Sequence, residues 1–286
     1  MRGACIGILI TYAAAAYAAA GQEAQPASLA AARAALGGAA LDTIRTVRMR
    51  GRGERVVGPI GMSNAIDIQL ALPDQYVRVD RIALAGTASQ MVTGFNGRAL
   101  IQRASGPGGL RIDPAAMLPI EARAAAIDAA TTALRQEVAL LLLGLSAGSY
   151  DFYPLRFTAA GTAESPDRRA DLVDVRGEGV FLARLFIDRQ SRLPLMVSWQ
   201  APDLAGAALR TAASGSPLPA SPDALTSEIG ASVEHRLYFM EHRQTGSVFW
   251  PHRLRRSVAG TTVEEIAVDA FEINPRLAPG TFDTQP

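Results

Sequence analysis

The sequence predicts a mainly β protein of the α+β class: one curled antiparallel sheet, or incomplete β-barrel, of about eleven strands, covered by an N-terminal helix and a long central helix. Three observations predict it. Ile66, Ile68, Leu70 and Leu72 alternate strictly with Asp67, Gln69 and Ala71, the period of a strand with one buried and one wet face. Runs of this kind are joined by tight-turn signals, Asn96-Gly97 and Gln244-Thr245-Gly246-Ser247. One long stretch, residues 118–145, breaks the pattern; it is rich in alanine and leucine, has no proline after Pro119, and has no glycine before Gly144, so it reads as a helix.

In chain order, Arg2 precedes an apolar run over residues 6–12 and an alanine tract that closes on Ala18-Ala19-Ala20. This is the three-part pattern of a secretory signal peptide, expected to be cut after Ala20. Residues 21–26 are then a linker, and residues 27–286 a single domain acting in the periplasm. No other run nears the roughly 18 continuous apolar residues that span a bilayer, so the mature chain is not expected to cross a membrane. Cys5 is the only cysteine and leaves with the signal, so neither a disulfide nor a cysteine metal site is expected. It also precedes the apolar run, whereas a lipid-modified cysteine follows one.

Residues 27–36 predict a helix ended by Gly37-Gly38, with a short helical turn at 41–44. Strands follow at 46–50, around 66–72, and at 75–84 after a Pro73-Asp74 turn. In the last of these Val77 and Val79 are assigned to the buried face, against Tyr76, Arg78 and Asp80 on the other. Two strands, 90–95 and 98–103, flank Asn96-Gly97, and 105–109 is a glycine-proline loop. Within the central helix, residues 138–143 are apolar all round and should be buried on more than one side. Strands return at 151–159, 170–178, 180–189 and 193–200. Residues 201–230, rich in Ala, Ser, Pro and Gly, hold too few large apolar side chains to fold alone and read as a flexible insertion. A hairpin, 234–243 with 248–257, and a strand at 261–273 close the sheet before a proline-rich tail.

Composition excludes some functions. The chain is 49% hydrophobic, but alanine carries much of that and aromatics are only 6%, so this fraction does not argue for a membrane protein. All 28 basic residues are arginine, and against 27 acidic ones they leave a net charge of +1. A general electrostatic grip on nucleic acid is not supported. Gly144-Leu145-Ser146-Ala147-Gly148 fits G-x-S-x-G, the nucleophile elbow, which needs a strand before it and a helix after it. A helix end explains the same residues, and a secreted hydrolase using Ser146 stands as an alternative. His235, His242 and His252 lie in the closing hairpin; the first two are seven apart, on opposite faces of a regular strand, so no metal site is expected. Glu264-Glu265 and Asp171 with Asp174 read as wet strand faces, and Gly51-Arg52-Gly53 as a turn. No catalytic constellation and no cofactor is expected.

Several stretches together resemble the outer-membrane lipoprotein carrier family, the LolA-like fold shared with LolB-like and RseB-like proteins. They are the initial helix, Leu72-Pro73-Asp74-Gln75-Tyr76, Phe95-Asn96-Gly97, Leu185-Phe186-Ile187-Asp188 leading to Leu193-Pro194, and the Tyr238 strand that passes through a glycine turn into Trp250-Pro251-His252. The resemblance implies an apolar cavity for acyl chains, and carriage or sensing without chemistry. Carried onto this chain, it implies a ligand wall of Ile66, Ile68, Leu70, Val77, Val79, Leu237, Phe239, Trp250 and Leu254. It implies a lid at residues 118–145, with Leu140, Leu141 and Leu143, and Arg48 or Arg50 as the arginine that holds the lid shut. The expected partner is a hydrophobic or acylated ligand. A protein-interaction or envelope-stress sensor module with its core filled, and an envelope protein as partner, is the other expectation, because a closed core shows the same alternation. The 201–230 insertion departs from the family pattern.

Overall fold

Leu29, Ala32 and Leu36 fall three and four residues apart, so one stripe of the first helix, α1 (Ala27–Leu36), is fully buried. Gly37 ends it with a φ of 147°, a conformation that favours glycine, and a 3-10 helix over Gly38–Thr43 follows. The computed structural model describes residues 25–57, 60–84, 87–106, 111–112, 119–166, 168–202 and 232–284. The signal peptide and all but the last two residues of the linker lie outside these, as does nearly all of the 201–230 insertion.

The next elements are β1 (Thr46–Val57), β2 (Ile60–Ala71), β3 (Gln75–Leu84), β4 (Thr87–Asn96), β5 (Ala99–Ser105) and the two-residue β6 (Arg111–Ile112). Helix α2 (Ile120–Ser146) comes between these and β7 (Arg156–Ser165), β8 (Arg168–Arg176), β9 (Leu182–Asp188) and β10 (Pro194–Ala201). Strands β11 (Val233–Thr245), β12 (Val248–Val258) and β13 (Thr261–Ile273) complete the set. Among the described residues there are thirteen strands, against about eleven expected. Strand β2 begins six residues before its alternation becomes legible. Strand β7 begins at Arg156 and not at 151, because Pro154 has no N–H to give a ladder and residues 150–153 form a turn closed by a Tyr150 to Tyr153 bridge.

All pairings are antiparallel, and the order is β6-β5-β4-β3-β2-β1-β13-β12-β11-β10-β9-β8-β7. The sheet is open, with β6 and β7 at its edges, and the segment that joins those edges carries α2. A helix so tethered must cross one face of the sheet, here called the inner face. The sheet curls around it: Phe95 on β4 and Phe152, just before the far edge strand, meet at a tilt with ring centroids 5.4 Å apart. One contiguous core joins α1, α2 and the inner face. The outer face carries a smaller cluster of Val77, Val92 and Ile101, against which Val79 and Phe282 of the C-terminal tail pack.

Candidate functional site

On β2 the alternation places Ile66, Ile68 and Leu70 on the inner face, each no more than 3% exposed. Register carries the row across the sheet. Met49 faces Ile68, Leu237 and Phe239 lie on β11, and Trp250 and Leu254 on β12, with Phe239 opposite Leu254 and Leu254 opposite Ile266. All of these are buried in one cluster with Leu140, Leu141 and Leu143 of α2. Seven of the nine expected wall residues therefore share the floor beneath the helix.

Val77 and Val79 do not. Register pairs Tyr76 with Leu70, Arg78 with Ile68 and Asp80 with Ile66, so the inner face of β3 is Tyr76, Arg78 and Asp80. The two valines point to the outer face and belong to the tail-covered cluster. Both faces of β3 are buried, so the more apolar one is not the one under the helix.

Arg48 and Arg50 are likewise misplaced for holding the lid. Met49 is the inner residue of that strand, and the two arginines sit on the outer face, Arg48 forked onto Asp67 at 3.0 and 2.6 Å and Arg50 paired with Glu272. An ion pair that does reach the helix joins Arg256 of β12 to Glu137 of α2.

Arg256 belongs to a charge cluster where the apolar floor ends. Arg78 donates to Glu264 at 2.6 Å and to Asp80 at 2.9 Å, and Arg55 donates to the same Glu264 at 2.9 Å. Asn64 donates to Asp80. The side chains of Arg78, Glu264 and Asp80 are only 10%, 9% and 5% exposed. Burial alone would raise the Glu264 carboxyl, but Arg78, with Arg55 and Arg256 beside it, reverses the shift and holds it at about 2 against an ordinary 4.5. Since the folded value lies below the unfolded one, this stabilisation is complete above about pH 4.5 and is lost as pH falls toward 2. Urea unfolding between about pH 6 and about pH 3 is expected to show about 2 kcal/mol lost through this group. Glu264→Gln should lack that part of the acid dependence; an unchanged acid slope in the variant would show that another group carries it.

The C-terminal half of α2 is fixed more firmly than its start. Residues 138–147 are all buried, whereas most of 120–130 is exposed. Gly144 approaches the sheet so closely that a Cβ there would lie 2.1 Å from the Phe239 ring. A helix leaves its last carbonyls without internal partners. Here Trp250 Nε1 donates to the Leu145 carbonyl at 2.8 Å and Arg33 Nη1 to that of Ser146 at 3.0 Å, while Ala147 takes the left-handed capping conformation. Beneath the helix, between Val138, Leu141, Ile68, Leu254, Arg78 and Arg256, only about 30 Å³ is unfilled. A larger groove of about 1190 Å³, bordered by Arg33, Tyr150 and Arg156, is open to solvent, and no floor residue borders it.

Ser146 lies on the last helical turn, donating to the Leu142 carbonyl at 2.9 Å and accepting from the Tyr150 hydroxyl at 3.1 Å. That is a helix end and not the strand-to-helix turn of a nucleophile elbow. His235 stacks on Trp199, with ring centroids 5.4 Å apart, and His252 bonds to the Val268 carbonyl at 3.1 Å. Burial holds His242, on the outer face, down at about 4. Among the described residues no three His, Cys, Asp or Glu side chains converge as metal ligands, and no helix is long and apolar enough to cross a membrane.

Arg78 and Asp80 were expected opposite the buried face of β3 and Glu264 on a wet strand face, yet all three are buried; Glu137 and Arg256 were not singled out by sequence reasoning. A signal existed for three positions: Asn64 stands in phase with Ile66, Arg256 with Leu254 and Glu264 with Ile266, polar residues on a buried face.

No protein-family model matches the chain, and no curated protein does. Among solved structures, the chain is similar in fold to a domain assigned to outer membrane lipoprotein sorting in Vibrio parahaemolyticus, at 12% identity and a TM-score of 0.46, covering 84% of this chain and 89% of that one. A DUF1329 family protein from Desulfovibrio piger matches at 8% identity and a TM-score of 0.48, covering 90% of this chain and 96% of that one. A LolA superfamily protein from Nitrosomonas europaea matches at 8% identity and 0.47, with the same two coverages.

Proposed function

We propose that the chain is a periplasmic, non-catalytic binding protein that takes an apolar or acylated ligand on the inner face of its sheet, with α2 as a displaceable plug. The observation that supports this most is the uneven seating of α2. Six large apolar side chains of its C-terminal half, Val138, Leu140, Leu141, Leu142, Leu143 and Leu145, are buried in the core that it shares with the floor, while its first half is mostly exposed. Ligand pockets measure about 300–1,000 Å³, an order of magnitude more than the about 30 Å³ left beneath the helix. Binding therefore requires part of α2 to leave.

The exchange is close to balanced. Of those six side chains, the four farthest from the pinned end, Val138, Leu140, Leu141 and Leu142, are worth about 6–12 kcal/mol buried, and an acyl chain of about fourteen methylenes is worth about 11 kcal/mol. The pinned C-terminal end then serves as the pivot, and the Arg256 to Glu137 pair as the contact to be broken.

Native mass spectrometry of the mature protein from its own periplasm, followed by organic extraction, tests the reading. A stoichiometric acyl-bearing molecule is the expected result, with uptake of a fluorescent fatty acid by the stripped protein. A clean apo mass and no uptake would overturn it. That outcome favours a second reading, an envelope interaction module whose core stays filled, for which the near-complete filling under α2 speaks.

A further inference from the structure

We propose that the ligand is an anionic amphiphile with a carboxylate headgroup, of the long-chain fatty acid class, and that its headgroup replaces the Glu137 carboxylate on Arg256. This rests on the acyl-binding reading and adds the headgroup chemistry and the point of attachment.

The cluster at the end of the floor holds three guanidinium groups, Arg55, Arg78 and Arg256, against three carboxylates, Asp80, Glu264 and Glu137. Five of the six stand on strands. Only Glu137 rides on the helix, so displacing α2 leaves three positive charges against two negative ones, with Arg78 buried and Arg256 three-quarters buried. An uncompensated buried charge is strongly unfavourable, and the ligand that relieves it is an anion. A neutral acyl chain would leave Arg256 unpaired.

Two further features point to a carboxylate at this spot. The space beneath Val138 and Leu141 is bordered by Arg256, Arg78 and Glu264 as well as by Ile68, Leu237, Leu254 and Ile266. A headgroup on Arg256 thus has its chain lying on the apolar floor. The guanidinium also holds an unused donor. Glu137 takes only Nη2, while the buried Nε has no hydrogen-bond partner among the described residues. A carboxylate approaching from the floor side can accept from Nε and Nη2 together, the forked geometry that makes arginine selective for planar anions. Glu137 is then the resident competitor that keeps the site closed until such a ligand arrives.

Calorimetric titration of the mature protein with dodecanoate and with dodecanol, equal in chain length, tests the assignment. Wild type is expected to bind dodecanoate about tenfold tighter than dodecanol, the scale of one charge-assisted contact. Glu137→Gln should tighten dodecanoate by about fivefold through loss of the competitor. Arg256→Met should abolish the preference and keep dodecanol binding. Arg256→Lys, which keeps the charge without the fork, should retain part of it, and serves if the methionine variant does not fold, as judged by the near-ultraviolet signal of the tryptophans. Equal binding of the two amphiphiles by wild type, or a preference that survives in Arg256→Met, overturns the headgroup assignment and leaves acyl binding standing. No binding of either compound by any variant overturns both.

Discussion

Replacing Trp250 by alanine is expected to destabilise the protein by about 3–5 kcal/mol, as for other buried large aromatics. The indole is 1% exposed and forms part of the inner floor. It meets the Phe271 ring with centroids 5.0 Å apart, and its N–H caps the Leu145 carbonyl near the end of α2. Alanine removes the packing and also leaves that carbonyl without its donor. Trp250→Phe keeps much of the ring and loses only the hydrogen bond, so its cost should be nearer 1–3 kcal/mol, about that of one unsatisfied buried acceptor. Urea unfolding of the three proteins reads the difference as a shift in midpoint at constant slope. Equal costs for the two variants would mean that the cap, and not the packing, carries the effect. A cost below about 1 kcal/mol for alanine would be incompatible with a wedge between helix and sheet.

Arg78→Met is expected to be as severe, about 3–5 kcal/mol at neutral pH, because it strands Glu264 and Asp80 as buried carboxylates without their main partner. Breaking a buried pair costs more than the pair ever contributed, since the survivor keeps its desolvation penalty. The signature is therefore in the double variant. Arg78→Met with Glu264→Gln should recover about 1–2 kcal/mol of the single-variant loss. Additive effects would show that the two groups do not act as a pair. The single variant should also lose less against wild type in acid, where wild type gives up its own Glu264 stabilisation.

Much of this architecture was legible in the residues because its causes are local. The Ile66 to Leu72 alternation, the turns at Gly97 and Gly246, and the long alanine- and leucine-rich helix each depend on neighbours within a few positions. Of the wall residues that lie under the helix, Ile66, Ile68 and Leu70 came from the same local phase, whereas Leu237, Phe239, Trp250 and Leu254 came from the family resemblance. The two failures have separate physical causes. The inference that the more apolar face is the one under the helix fails for Val77 and Val79, because the C-terminal tail, with Phe282, covers the outer face as well. The latch that the resemblance implied fails because alternation assigns a face relative to a neighbour: with Met49 inward, Arg48 and Arg50 must point outward.

By itself the sequence determined the class of the fold, the identity of most of its elements and the buried phase of β2. Only the tertiary structure decided which charges meet. Arg256 finds Glu137 across 119 residues and Arg78 finds Glu264 across 186. Such contacts depend on β1 pairing with β13 and on the sheet curling beneath α2. Period and propensity act within one element, whereas a partner is chosen by register and curvature summed over many, so no single stretch of the chain contains it.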